Sequence, residues 1–175
     1  SFEYDSLGDA NARFLLDDGI LHPDTRSLTV ETLAGIQELE ITRDAKEFQV
    51  RVNMGRPRLS PDEIPVDLPP SEYPRVMDYP LSVDGRRIDI TCVSMGNPHA
   101  IAFLSEAVEQ FPLLELGPKV EHHPLFPRRI NFEAVRVLDR GHMELRVWER
   151  GAGPTLACGT GACASVVAAS LHGWV

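Results

Sequence analysis

Glu149-Arg150-Gly151-Ala152-Gly153-Pro154-Thr155-Leu156-Ala157-Cys158-Gly159-Thr160-Gly161-Ala162-Cys163-Ala164-Ser165 decides how this chain is read. The stretch sets a cysteine at the mouth of a glycine-rich turn. Directly after it comes the Ala- and Val-rich run from Ala162 to Leu171, which suits a buried helix. Thr160 is the expected N-cap. The first amides of such a helix have no partner inside it, so they face outward and favour an anion. A thiol held there has its thiolate stabilised by the same amides and dipole. One segment therefore offers a carboxylate cradle and a tunable sulfur together, which points to chemistry beside a carboxylate.

Composition narrows the classes. The 175 residues suffice for one ordinary domain or two small ones with a real core. Seventeen basic residues against twenty-six acidic give a net charge of −9, which argues against a nucleic-acid partner because phosphate neutralisation needs clustered Lys and Arg. The short pairs Arg86-Arg87 and Arg128-Arg129 read as solvated surface. No apolar stretch approaches the roughly 20 residues of a membrane span, and the first residues do not read as a signal peptide. Three cysteines do not describe a disulfide scaffold. A reducing, cytoplasmic setting is expected, with Cys158 a free thiol.

Ala10 to Asp18 reads as the end of a short helix, closed by Gly19, and Leu28 to Leu33 predicts a strand. Leu39-Glu40-Ile41 and Phe48 to Val52 alternate with period two, as half-buried strands do. Seven of the fourteen prolines then fall between Arg56 and Pro80, marking a connector and a domain boundary. Beyond it, Leu81 to Val83 and Ile88 to Ser94 form a predicted hairpin around Asp84-Gly85. Ala100 to Leu104 predicts a short strand, and Ser105 to Phe111 a short helix capped by Ser105. Asn131 to Leu138 and His142 to Trp148 alternate again around Asp139-Arg140-Gly141. The second region is thus strand-rich with two helices, an α+β pattern.

Each candidate has an ordinary alternative. A free cysteine is most often a small buried hydrophobe. Gly159 and Gly161 favour a reactive Cys158, because they let another molecule approach the backbone closely. Cys163, inside the helix, and Cys92, in an alternating strand, are assigned to the core. No second pair of ligands stands at a spacing suited to zinc, and His122-His123 is a loop doublet before a proline. Gly159 to Ala164 fits the letters of a dinucleotide fingerprint, but its place late in a β-rich region argues against that reading. Asn97, in Met95-Gly96-Asn97-Pro98-His99, can aim both a donor and an acceptor at a ligand. His99 is taken as a structural histidine rather than a base. Asn131, Glu149 and Arg150 offer an amide, a carboxylate and a guanidinium, a set suited to a ligand carrying both an ammonium and a carboxylate.

In this order, these constellations resemble diaminopimelate epimerase. The matching stretches are Thr91 to His99, His123-Pro124-Leu125-Phe126-Pro127 leading to Asn131, and Trp148 to Ala164. Val30 to Gly35 and Asn53 to Pro57 are similar as well, so the resemblance covers about residues 12 to 175. It implies an α+β fold of two similar domains, each a curved antiparallel sheet around a central helix. Residues 1–60 would be a remnant of the N-terminal domain, and 61–175 most of the C-terminal one, ending before its last strands. It implies a cofactor-independent reaction in which two cysteines face opposite sides of an α-carbon, one removing a proton and the other returning one. Carried over by position, Cys158 is one of those thiols, and Gly159 and Thr160 bind the substrate carboxylate. Asn97, Asn131, Glu149 and Arg150 are substrate contacts, with Asn131 and Arg150 at the distal end. The substrate implied is a diamino dicarboxylate, and the full-length protein is expected to be a homodimer with no nucleic-acid or membrane partner.

One departure stands out. The family carries its other catalytic cysteine in a Cys-Gly-Asn-Gly segment before the helix that corresponds to Ala12-Arg13-Phe14-Leu15-Leu16. Here that place reads Ser6-Leu7-Gly8-Asp9-Ala10-Asn11, with no cysteine before Cys92. The expectation is a fragment that does not complete a two-thiol reaction alone. Two alternatives stay open: a related racemase acting on another amino acid, and a non-catalytic relic that binds an amino acid without inverting it.

Overall fold

The computed structural model describes residues 14–32, 35–43, 48–156 and 158–175. The chain divides into two compact units, Ser1–Gly55 and Arg56–Val175. In the first, residues 14–17 are helical and the turn closes at Gly19, whose φ of +69° is left-handed. The Gly19 amide bonds Leu16 O at 3.1 Å and the Ile20 amide bonds Leu15 O at 2.9 Å. The predicted start of that helix, the Ser6 to Asn11 segment and Leu33 lie outside the described residues. Strands β1 (Ser27–Thr32), β2 (Gly35–Arg43) and β3 (Phe48–Val52) form an antiparallel sheet in the order β1-β2-β3. Leu39 and Ile41 are buried while Glu40 between them is exposed, the alternation expected of a half-covered sheet.

The proline-rich stretch behaves as predicted in one respect: apart from a bridge between Arg58 and Ser94, it has no strand before Tyr79. It is nevertheless not a loose link. Ile64, Val66 and Val76 are buried in the main core of the second unit, so the stretch forms one of its walls. Strands β4 (Tyr79–Val83) and β5 (Arg86–Ser94) make the expected hairpin. Asp84 (φ +51°) and Gly85 (φ +77°) both sit at positive φ, which matches the right-handed twist of the paired strands.

Four more strands complete a six-stranded sheet in the order β4-β5-β6-β7-β8-β9: β6 (Pro98–Phe103), β7 (Asn131–Asp139), β8 (His142–Glu149) and β9 (Gly153–Thr155). Neighbours are antiparallel except β6 and β7, which pair in parallel with His99 opposite Asn131. A parallel pair needs a crossover, and residues 104–130 supply it. The helix predicted from Ser105 shrinks there to a 3₁₀ turn at Val108–Gln110. Ser105 does not cap it, because its hydroxyl donates to Glu106 Oε2 at 3.1 Å and the preceding residue is Ala107.

The crossover helix is α1 (Leu113–Glu121), which the sequence reading missed. It has no side-chain N-cap and holds Gly117 and Pro118, both signals of a loop. Packing overrides them. Leu113, Leu116 and Val120 share one face and are buried, each such side chain contributing about 1.5–3 kcal/mol. At Gly117 a Cβ would lie 2.6 Å from Cδ2 of Trp148, so only glycine lets α1 lie this close to β8.

The central strands are covered on both faces. Ile90, Cys92, Ala100, Ala102, Phe132 and Ala134 join the core with α1. The alternate residues Thr91, Val93, His99, Ile101, Glu133 and Val135 are buried too. Across from them packs α2 (Gly159–Leu171), with Ala164, Ser165, Ala168 and Ala169 buried. Cys92 is in the core as expected, while Cys163 is only half-buried on α2.

Candidate active site

The start of α2 differs from expectation in one consequential way. Its N-cap is Cys158, not Thr160: Cys158 is extended (φ −136°, ψ 106°) and its sulfur accepts from the Gly161 amide at 3.4 Å. Thr160 lies inside the first turn, with its hydroxyl 3.4 Å from the same sulfur. The candidate acid/base group and the helix cap are therefore one atom. Cys158 itself is buried, at 8 % exposure.

From Thr160 a line of hydrogen bonds runs into the sheet. Asn97 Nδ2 donates to Thr160 Oγ1 at 3.2 Å. Asn97 Oδ1 lies 3.0 Å from His99 Nε2, which must donate because a carbonyl oxygen only accepts. His99 Nδ1 then meets Glu133 Oε1 at 2.6 Å, both side chains fully buried. His99 is thus structural, as expected, and its role is to fix which way the Asn97 amide faces. Gly161 closes the cluster: a Cβ there would lie 2.6 Å from Glu133 Oε1 and 3.3 Å from Cys158 Sγ.

The second group sits on the turn between β8 and β9. Asn131 Oδ1 accepts from the Arg150 amide at 2.8 Å, and its Nδ2 donates to Pro98 O at 2.8 Å. Asn131 therefore staples the Arg150 turn to the residue between Asn97 and His99. Glu149 accepts from the Thr155 hydroxyl, and the exposed Arg150 guanidinium donates to Arg128 O at 3.1 Å. Glu121, at the end of α1, accepts from Trp148 Nε1 at 2.7 Å and from the Gly151 amide at 2.9 Å. Burial would raise its carboxyl, but these two bonds, with His122 and Arg129 nearby, hold it below the usual range.

Cys158, Thr160 and Asn97 are thus hydrogen-bonded together, with Gly159 beside them on α2, and Asn131 and Arg150 form a second bonded set. The carboxylate of Glu149 links the two electrostatically, since its charge acts on the thiol. Glu133 and Glu121 were not found from sequence. Glu133 stands two residues beyond Asn131, on the same face of β7, and that spacing was the available signal. Glu121 carried none. Among the described residues, no three of His, Cys, Asp or Glu are placed to hold a metal ion. Nor is any helix among them long and apolar enough to cross a membrane.

Burial pushes the Cys158 thiol up. Bonds from Thr160 and Gly161 pull it down, the charges of Glu149 and Glu133 add to the rise, and the net direction is upward from 9.0. The Gly161 amide faces the sulfur as the sequence implied, yet desolvation outweighs it. Cys158 therefore rests as a thiol at neutral pH and ionises only as pH climbs past the value of an ordinary cysteine. Iodoacetamide, which reacts with the thiolate, should label Cys158 at a rate that keeps rising beyond pH 9.0. Peptide mapping by mass spectrometry gives the site-resolved profile, and a plateau below that pH would contradict this assignment.

Comparison with known proteins adds kinship to this geometry. A family model described as diaminopimelate epimerase matches residues 91–175. The diaminopimelate epimerase of Acetivibrio thermocellus is 51% identical over 162 residues, covering 92% of this chain and 56% of that protein. That of Stutzerimonas stutzeri is 49% identical over 164 residues, 94% of this chain and 56% of its own. The chain spans about half the length of the curated relatives it matches. In fold it is similar to a hydroxyproline epimerase from Agrobacterium vitis, solved with bound trans-4-hydroxy-L-proline. The TM-score is 0.69 at 16% identity, over 97% of this chain and 52% of that one. A Bacillus anthracis phenazine biosynthesis protein of the PhzF family follows at a TM-score of 0.58 and 19% identity, over 97% of this chain and 58% of its own. Over the residues it spans, the chain belongs to the diaminopimelate epimerase family.

Proposed function

We propose that this chain is part of a cofactor-independent epimerase that interconverts LL- and meso-diaminopimelate, in the synthesis of lysine and peptidoglycan precursors. In this reading residues 1–60 are a remnant of an N-terminal domain, and 61–175 are most of the C-terminal domain that carries Cys158. The full-length enzyme is a cytoplasmic homodimer. The observation that carries the reading is a buried thiol capping α2, with the Thr160 hydroxyl and Gly161 amide on its sulfur and the Glu149 carboxylate near it.

The substrate carboxylate would lie at the first turn of α2, where the amides of Gly159 and Thr160 precede the helix's own ladder. Asn97, fixed by His99, would hold the same end. Glu149 would meet an ammonium, and Arg150 with Asn131 the distal end of the molecule. Cys158 would act as the proton donor to one face of the α-carbon and, once ionised, as the base on that face. The Gly161 amide and Thr160 hydroxyl would stabilise the sulfur anion formed in that step. Inversion needs a second acid/base group on the opposite face, because a single group returns the proton where it found it. With this chain alone, exchange without inversion is therefore expected.

The test is incubation with diaminopimelate in D₂O at mildly alkaline pH, followed by proton NMR. Loss of the α-proton signal supports the reading. Binding seen by calorimetry with no deuterium entering the α-carbon overturns it in favour of an amino-acid binder, and exchange of another amino acid in preference would favour a related racemase.

A further inference from the structure

Glu121 occupies a place that does nothing for its own helix. A carboxylate in the last turn of α1 meets the negative end of the helix dipole, and burial to 3 % exposure adds a desolvation cost. Both its oxygens instead serve the neighbouring β8–β9 turn. Oε2 accepts from the Trp148 indole at 2.7 Å, and Oε1 accepts from the Gly151 amide at 2.9 Å. Arg129 Nη1 lies 3.6 Å from Oε1. Two successive amides of that turn, those of Arg150 and Gly151, are thus held by side-chain acceptors, Asn131 for one and Glu121 for the other. The Cα positions from which Glu149 and Arg150 reach outward are set by this pair.

We infer that Glu121 is a positioning residue for the distal end of the substrate: it holds the 149–152 turn so that Arg150 meets the second carboxylate of a diamino dicarboxylate. The inference rests on the reading of Arg150 as a distal contact. It assigns Glu121 to affinity rather than to proton transfer, because the Cys158 cluster hangs from β6, β7 and α2 and makes no hydrogen bond to it.

The test is Glu121→Gln in the full chain. The amide keeps the volume but turns an N–H₂ toward one of two donors, so one bond of the pair is lost. The dissociation constant for diaminopimelate, measured by calorimetry, should rise about tenfold, while α-deuterium exchange at saturating diaminopimelate stays within about twofold. The Trp148 fluorescence should shift at the same time, since its indole loses a charged acceptor. A fluorescence change with unaltered affinity would overturn the inference, as would a fall in saturated exchange at constant affinity. Glu121→Asp, which keeps the charge but draws the oxygens back, serves if the first variant does not fold. It should weaken binding by a smaller factor, and unchanged binding there would overturn the inference as well. If the unsubstituted protein binds no diaminopimelate, the functional reading and this inference fall together. If it exchanges the α-proton while both variants bind like it, only the inference falls.

Discussion

Cys158→Ala protein should lose about a thousandfold of its α-deuterium exchange with diaminopimelate, the scale of a positioned acid/base group, while remaining folded. The geometry allows a sharper version. The sulfur also caps α2 by accepting from the Gly161 amide, so Cys158→Ala removes a cap as well as a proton carrier, at a cost of about 1 kcal/mol. Cys158→Ser separates the two roles. Serine is a good N-cap, and its oxygen can take the same amide, but an alcohol ionises far above a thiol. The serine protein should therefore melt at or above the temperature of the unsubstituted one and exchange as little as the alanine protein. NMR in D₂O and calorimetric melting give both readouts. A serine variant that retained exchange would remove Cys158 from the chemistry.

Glu133→Ala should destabilise the second unit strongly. Glu133 and His99 are fully buried and meet at 2.6 Å. Removing one partner of a buried pair leaves the other unsatisfied, which costs about 3–5 kcal/mol and should lower the melting temperature by about 6–20 °C. The effect should reach the site. Without Glu133, nothing on Nδ1 holds the His99 ring in place against Asn97, and the amide of Asn97 is free to turn away from Thr160. Glu133→Gln keeps an oxygen or an N–H for Nδ1 and should cost less than half as much. The second oxygen of Glu133 has no hydrogen-bond partner among the described residues, so the amide gives up little there. Denaturant melts of the three proteins decide the matter, and equal losses for Ala and Gln would show that the carboxylate's charge, which both variants lack, is what the site requires.

Much of this arrangement could be read from the chain because its signals are local. The period-two runs flanking Asp84-Gly85 and Asp139-Arg140-Gly141 became hairpins, and the Ala-rich run after Cys158 became α2. The unread parts depend on contacts distant in sequence. Gly117 and Pro118 look like a loop until Trp148 is placed against them. Glu133 looks like any exposed strand glutamate until the parallel register of β6 and β7 brings it to His99. The cap moved two residues, from Thr160 to Cys158, because a sulfur is not among the usual capping atoms and only the backbone angles identify it. The candidate residues on α2 and on the turn after β8 were legible as types, whereas their wiring was not.

The parallel pairing has a further consequence, for how the protein is made. Asn97 and His99 emerge from the ribosome long before Asn131 and Glu133, and the whole 104–130 crossover must close before the two strands meet. The α2 segment comes later still. Until that docking is finished, the sheet does not cover Cys158. A newly synthesised chain therefore carries an ordinary, accessible cysteine, and the folded protein a shielded one. Oxidative damage at this position should accumulate during biosynthesis and refolding, not during the working life of the finished molecule.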